Sequence, residues 1–159
     1  MAAIIGLTAD QIKEVLQQHA LSTIAIANYN SNSQSVISGL KTDIDRALPL
    51  FEQAGAKLVI PLKVSGAFHS PYMSDAEKEF EIFLKQFSFS APKIPVIANI
   101  NAQPYSAETI QSNLTKQITH SVQWTASINY LLQKGETQFE EIGPGKVLMG
   151  LIQRIQQGK

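Results

Sequence analysis

The apolar positions of this chain recur in two different ways, and the change falls near residue 63. Before it, short β-branched runs alternate with stretches of helical spacing. "MAAIIGL" predicts a strand. "TADQIKEVLQQHA" predicts a helix with Ile12, Val15 and Leu16 on one face and a capping box formed by Thr8 and Gln11. "STIAIANY" and "QSVISG" predict two strands joined by the polar turn "NSNS". "KTDIDRALPLFEQAGA" has helical spacing, with Thr42 as its cap, Gly55 as its stop, and Pro49 expected to kink or split it. "KLVIPLKV" supplies the last strand. The predicted order over residues 1–63 is β-α-β-β-α-β, the ferredoxin-like arrangement.

Residues 64–159 follow another rhythm. "SPYMSDAEKEFEIFLKQF" predicts an amphipathic helix with Ser70 as N-cap, Pro71 at the first helical position, and Met73, Phe80, Phe83, Leu84 and Phe87 as its apolar positions. "KIPVIANI" predicts a strand, apolar enough for a parallel sheet buried on both faces. "SAETIQSNLTKQITHS" and "WTASINYLLQKG" predict helices. "TQFEEIG" predicts a strand, and after the turn "GPG" a closing helix follows, "KVLMGLIQRIQQ". Strand and helix in alternation point to an α/β layer. Two strands make a poor sheet, so this portion is expected to be the end of a larger domain.

Composition narrows the class without naming a chemistry. Of the 159 residues 44% are hydrophobic, yet no apolar run is long enough to span a bilayer. "MAAIIGLTAD" lacks the basic start and long apolar core of a secretory signal. The absence of cysteine excludes disulfides, thiolate zinc sites and a thiol nucleophile. Lys plus Arg and Asp plus Glu balance at 13 each, so no overall charge draws the chain to nucleic acid or an anionic membrane. A soluble, cytoplasmic protein is expected.

Chemistry can reside in few places. Of the three histidines, His19 ends a predicted helix and His120 lies between two, where a structural role is the simpler expectation. His69, in "VSGAFHSPYM", follows a predicted buried strand and precedes a helix start, the kind of loop where α/β folds place their sites. From the residues alone it is equally a general base and a half-buried histidine bonded to a carbonyl. A base requires a nucleophile within reach. No serine occupies a G-x-S-x-G elbow: Ser65 is expected within a strand, and Ser70 is explained as a cap. "GPGK" at 143–146 lacks the phosphate-loop spacing, and Asp75, Glu77, Glu79 and Glu81 are expected on a solvated face. Trp124 is expected in the core. Asn28 ends its strand, where it can serve as a ligand group.

Taken in order, "IANYNSNSQSVISG", "AKLVIPLKVSGAFHSPYM", "IPVIANINAQPY", "HSVQWTASINYLL" and "FEEIGPGKVLMGLIQRI" make the chain resemble the malonyl-CoA:acyl carrier protein transacylases of fatty-acid and trans-acting polyketide synthesis. The resemblance covers essentially the whole chain. It implies a ferredoxin-like subdomain, residues 1–63, followed by the C-terminal part of an α/β-hydrolase-like large subdomain, residues 64–159. It implies a ping-pong transfer in which a serine attacks the malonyl thioester of malonyl-CoA and the acyl group passes to the phosphopantetheine thiol of an acyl carrier protein. The partners would be malonyl-CoA and that carrier protein; no further cofactor, metal, nucleic acid or membrane is expected. By the same resemblance His69 is the base, a main-chain carbonyl at about Gln123 orients it, Phe68 sets malonyl selectivity, and Asn28 lines the site.

Three family features are absent from the 159 residues: the G-Q-G-x-Q loop, the G-H-S-x-G elbow with its serine, and the arginine that pairs with the malonyl carboxylate. Arg46 and Arg154 are the only arginines, and neither lies where the family places that residue. The chain is therefore expected to be a C-terminal piece, by truncation, internal start or splitting, and inactive alone unless an N-terminal half joins it. A non-catalytic module that docks a carrier protein or synthase is the alternative expectation.

Overall fold

The computed structural model describes residues 1–158. Its first part has the predicted order: β1 (Ala2–Ile5), α1 (Ala9–Gln18), β2 (Ala25–Ser31), β3 (Gln34–Ser38), α2 (Lys41–Gln53) and β4 (Leu58–Pro61). The strands form one antiparallel sheet in the order β2-β3-β1-β4. Alternation decides which face is dry. Ala2 and Ile4 of β1 point, with Ile37 of β3, at Ile12, Val15 and Leu16 of α1 and Ile44, Ala47 and Phe51 of α2. The opposite face carries Ala3, Ala27 and Val36.

The capping box of α1 is present: Gln11 N–H donates to Thr8 Oγ1 at 3.2 Å and Thr8 N–H to Gln11 Oε1 at 2.9 Å. The start of α2 differs from expectation. Leu40 is the N-cap without a side-chain bond, and Thr42 lies inside the helix. Nor does Pro49 split α2, which runs on to Gln53 before Gly55 turns the chain at φ +93°. Pro49 is on the exposed side, where water can take up the carbonyl one turn back that loses its donor.

Gly6 closes β1 at φ +100°, and a Cβ there would stand 2.8 Å from the backbone nitrogen of Lys57. Because Lys57 N–H is bonded to Ile5 O at 2.7 Å, the neighbour cannot retreat. Gly6→Ala is expected to cost about 1–3 kcal/mol through backbone strain and overpacking. An unchanged urea midpoint would show that the turn yields freely.

The second part is helical: a 3-10 turn (Pro71–Met73), then α3 (Ser74–Leu84), α4 (Ile110–Lys116), α5 (Trp124–Gln133) and α6 (Val147–Gln156). Ser70 precedes the 3-10 turn but does not cap it with its side chain. On α5 and α6, Ile128, Ile152 and Ile155 form a small core with Trp124, Leu131 and Phe139. Neither "KIPVIANI" nor "TQFEEIG" is a strand, contrary to the sequence pattern; the former makes only an isolated bridge, Ile97 with Pro104. A strand needs a neighbouring backbone along its length; "KIPVIANI" meets a short return at 103–105, through Ala98 N–H to Gln103 O and Tyr105 N–H to Val96 O. Several of their apolar side chains stand in the open, with Ile94 73% and Ile142 93% exposed. No helix among the described residues is long and apolar enough to cross a membrane.

The two parts meet at the outer edge of β2. There Tyr29 N–H donates to Val122 O at 3.0 Å and Val122 N–H to Ala27 O at 2.8 Å, a parallel bridge to residue 28. Ser121 Oγ donates to Ile26 O at 2.6 Å and Thr125 Oγ1 to Tyr29 O at 2.9 Å. The segment that leads from α4 to α5 thus serves as a short extra strand.

Candidate active site

That same segment holds His69. The chain leaves β4, passes Gly66, and turns at Phe68–His69, where His69 has φ +55°. A non-glycine residue stays in this region only when its surroundings over-determine it. Here they do. Buried Ser70 donates from Oγ to Ala67 O at 2.6 Å and closes the turn, while His69 N–H donates to Ile118 O at 3.1 Å.

The ring is fixed by carbonyls. Nδ1 lies 2.7 Å from Gln117 O and 3.2 Å from His120 O. Carbonyl oxygens only accept, so Nδ1 carries the hydrogen and the neutral ring presents Nε2 as a free base. Gln117 is the C-cap of α4, and its carbonyl is one that a helix end leaves without an internal partner. The negative end of the helix therefore faces the histidine ring. The α4 end satisfies two needs at once: its open carbonyls gain donors, and the imidazole gains an orientation.

Gln123 does not orient the ring. Its carbonyl accepts from the backbone N–H and the hydroxyl of Ser127, both at 2.9 Å, at the start of α5. The carbonyls that reach His69 come from Gln117 and His120, on the other side of the segment's contact with β2. Sequence reading missed both, because a backbone oxygen leaves no mark in residue type. His120 was expected to be structural, and its ring is: Nδ1 is bonded to Lys116 O at 2.8 Å. Its carbonyl is what touches His69. His19 occupies the C-cap of α1, as its place at a helix end suggested.

Phe68 is 38% exposed, and its ring lies over Gly66, 3.5 Å from where a Cβ would stand, with Met73 Sδ alongside at 3.7 Å from the same point. Asn28 is half-buried on β2 at a register irregularity between Ile26 and Asn28, the kind of bulge that re-aims a side chain. It is tied to His69 through one run of backbone: residue 122 bridges to Asn28, and residues 117, 118 and 120 hold the histidine. The structure thus joins the backbone of Asn28 and the ring and amide of His69 to segment 117–122, and keeps Phe68 next to His69 over Gly66.

The other candidates resolve as structure. At the "GPGK" turn a first-turn amide of α6, Met149 N–H, is already taken by the Glu141 carboxylate at 3.0 Å. Asp75 and Glu81 pair with Lys78 and Lys85 on an exposed face. Trp124 packs against the core of α5 and α6. Among the described residues no group of three His, Asp or Glu could hold a metal ion.

No protein-family model matches the chain. It is 59% identical over 158 residues to the polyketide biosynthesis malonyl CoA-acyl carrier protein transacylase BaeC of Bacillus velezensis, covering 98% of this chain and 54% of that protein. The crystal structure of malonyl CoA-acyl carrier protein transacylase from Burkholderia pseudomallei superposes with a TM-score of 0.93 at 40% identity, over 99% of this chain and 56% of that one. A malonyl-transacylase in complex with its type II polyketide acyl-carrier protein, PlMCAT:AntF, gives a TM-score of 0.93 at 34% identity, over 99% and 52%. The chain spans about half the length of the curated relatives it matches. In sequence and in fold, the chain matches the C-terminal portion of malonyl CoA-acyl carrier protein transacylases.

Proposed function

We propose that this chain is the base-bearing portion of an acyltransferase that moves a malonyl group from CoA to the phosphopantetheine thiol of an acyl carrier protein. The observation that carries the reading is the His69 ring, held by Gln117 O and His120 O so that Nε2 is free to accept a proton. A serine from an elbow that these 159 residues do not contain would give its proton to Nε2 as its oxygen bonds to the thioester carbon. The imidazolium, steadied by the two carbonyl dipoles, would return the proton to the departing CoA sulfur. The carrier thiol would then attack the malonyl-serine ester by the same route in reverse. Malonyl-CoA is a substrate and the phosphopantetheine belongs to the carrier protein, so no resident cofactor enters.

Residues 1–63 are read as a ferredoxin-like subdomain, supported by the sheet order β2-β3-β1-β4 with both helices on one face. Residues 64–159 are read as part of an α/β-hydrolase-like subdomain, and the cytoplasm as the place of action. A separate N-terminal portion would supply the serine and cover the apolar side chains left open at Ile94 and Ile142. Asn28 is read as lining the acyl site.

The test is mass spectrometry of a holo carrier protein incubated with malonyl-CoA, this chain, and the serine-bearing N-terminal portion of a relative. The carrier is expected to gain one malonyl group only when both portions are present. No gain with both would leave the chain as a docking module without chemistry. In the same assay Phe68→Ala is expected to improve methylmalonyl relative to malonyl transfer by about 10- to 200-fold, because a pocket rejects one methyl by about 1–3 kcal/mol. An unchanged preference would remove Phe68 from the selectivity argument.

A further inference from the structure

We infer that Asn99 is a positioning residue for His69. The inference rests on the reading of His69 as the base and adds a residue outside the loop that carries it. Asn99 grips both ends of segment 117–123. Its Nδ2 donates to Gln117 Oε1 at 3.2 Å, and its backbone carbonyl accepts from Gln123 N–H at 2.8 Å. Between those ends lie the atoms that hold the histidine: Gln117 O, Ile118 O and His120 O.

Asn99 is itself anchored. The turn it opens is closed by Ala98 N–H to Gln103 O at 2.8 Å, Ala102 N–H to Ala98 O at 3.0 Å, and Gln103 N–H to Asn101 Oδ1 at 3.1 Å, over a fully buried Ala98. The other edge of the segment is fixed to β2 through Ser121 and Val122. The carbonyls are therefore gripped from two sides: away from β2, Asn99 holds both ends of the segment, and Thr119 Oγ1 between them donates to Glu77 of α3. Without its amide, the Gln117 side chain loses its tether. The carbonyl of the same residue, at the end of α4, is then free to rotate with the fraying helix terminus.

Substitutions separate hydrogen bonding from shape. Asn99→Leu is nearly isosteric and cannot bond to Gln117. Asn99→Asp can, because the Gln117 amide can turn to donate to the new carboxylate. Histidine-ring nitrogen resonances of this chain read the result directly, with His19, at the end of α1, as the internal reference. The unchanged chain and Asn99→Asp are expected to show the Nδ1–H form of His69, whereas Asn99→Leu is expected to shift it toward the mixture of a free imidazole. In the transfer assay with the serine-bearing portion, Asn99→Leu is expected to lower kcat by about tenfold with KM unchanged, less than loss of the base itself.

A His69 ring unaltered in Asn99→Leu would overturn the inference, as would Asn99→Asp behaving like Asn99→Leu. If the tautomer shifts but transfer does not slow, the positioning stands and the reading of His69 as base fails. Should Asn99→Leu fail to fold by its amide spectrum, Gln117→Leu removes the same bond from its other end and is read the same way.

Discussion

Malonyl transfer by the combined portions is expected to fall by about a hundredfold to ten-thousandfold when His69 is replaced by Ala, the range that one positioned proton acceptor contributes. The size follows from where the ring sits. Its Nδ1 is committed to Gln117 O and His120 O, so Nε2 is the only nitrogen able to take a proton, and the described structure places no other imidazole or carboxylate in this turn. Alanine at φ +55° is itself strained, so a fall in activity has two sources unless they are separated. His69→Asn does this, because asparagine tolerates that backbone and cannot act as the base. Equal losses in the two variants, with partial recovery on adding free imidazole, identify proton transfer. Activity within threefold of the unchanged protein in His69→Asn would end the assignment of His69 as base.

Phe51→Ala is expected to destabilise the chain by about 3–5 kcal/mol, the usual cost of deleting a buried aromatic and leaving its cavity. Phe51 is fully buried at the centre of the face where α1 and α2 cover the sheet, against Ile4, Ile12, Ile37 and Ile44. Total stabilities are commonly about 5–15 kcal/mol, so the loss takes a large share of the margin. The effect reaches the site through the backbone. α2 holds the sheet in which β2 carries the bridge to Val122, and that bridge fixes the segment bearing the His69 carbonyls. The urea midpoint should fall while its slope stays the same, and the Nδ1–H signal of His69 should weaken at lower urea than in the unchanged chain. A loss below about 1 kcal/mol would mean that the core closes around the missing ring.

Local physics was legible from residue type. The β-α-β-β-α-β order, the Thr8–Gln11 capping box and the apolar face of α1 all follow from spacing within a few residues, and each is present. The misplaced cap of α2 has the same local origin: Thr42 has a capping side chain, but the helix begins at Lys41 and leaves Thr42 inside it. "KIPVIANI" and "TQFEEIG" fail for another reason. Their patterns are those of strands, and a pattern states only what a segment would bury if a neighbour arrived.

The site divides along the same line. His69 and Phe68 were visible in "GAFHS" because a motif lists side chains. Which oxygen steers the ring was not, since Gln117 and Gln123 are both glutamines near one tryptophan and either carbonyl fits a reading by type. The choice was made by the end of α4, which leaves its last carbonyls without internal donors and aims them at residue 69, forty-eight positions away in sequence. Asn99 and Ser121 entered the site in the same way, through contacts that span long separations. Side-chain chemistry and short-range pattern belong to the sequence alone. The direction of a backbone dipole belongs to the folded chain, because every residue carries the same carbonyl and only packing decides where it points.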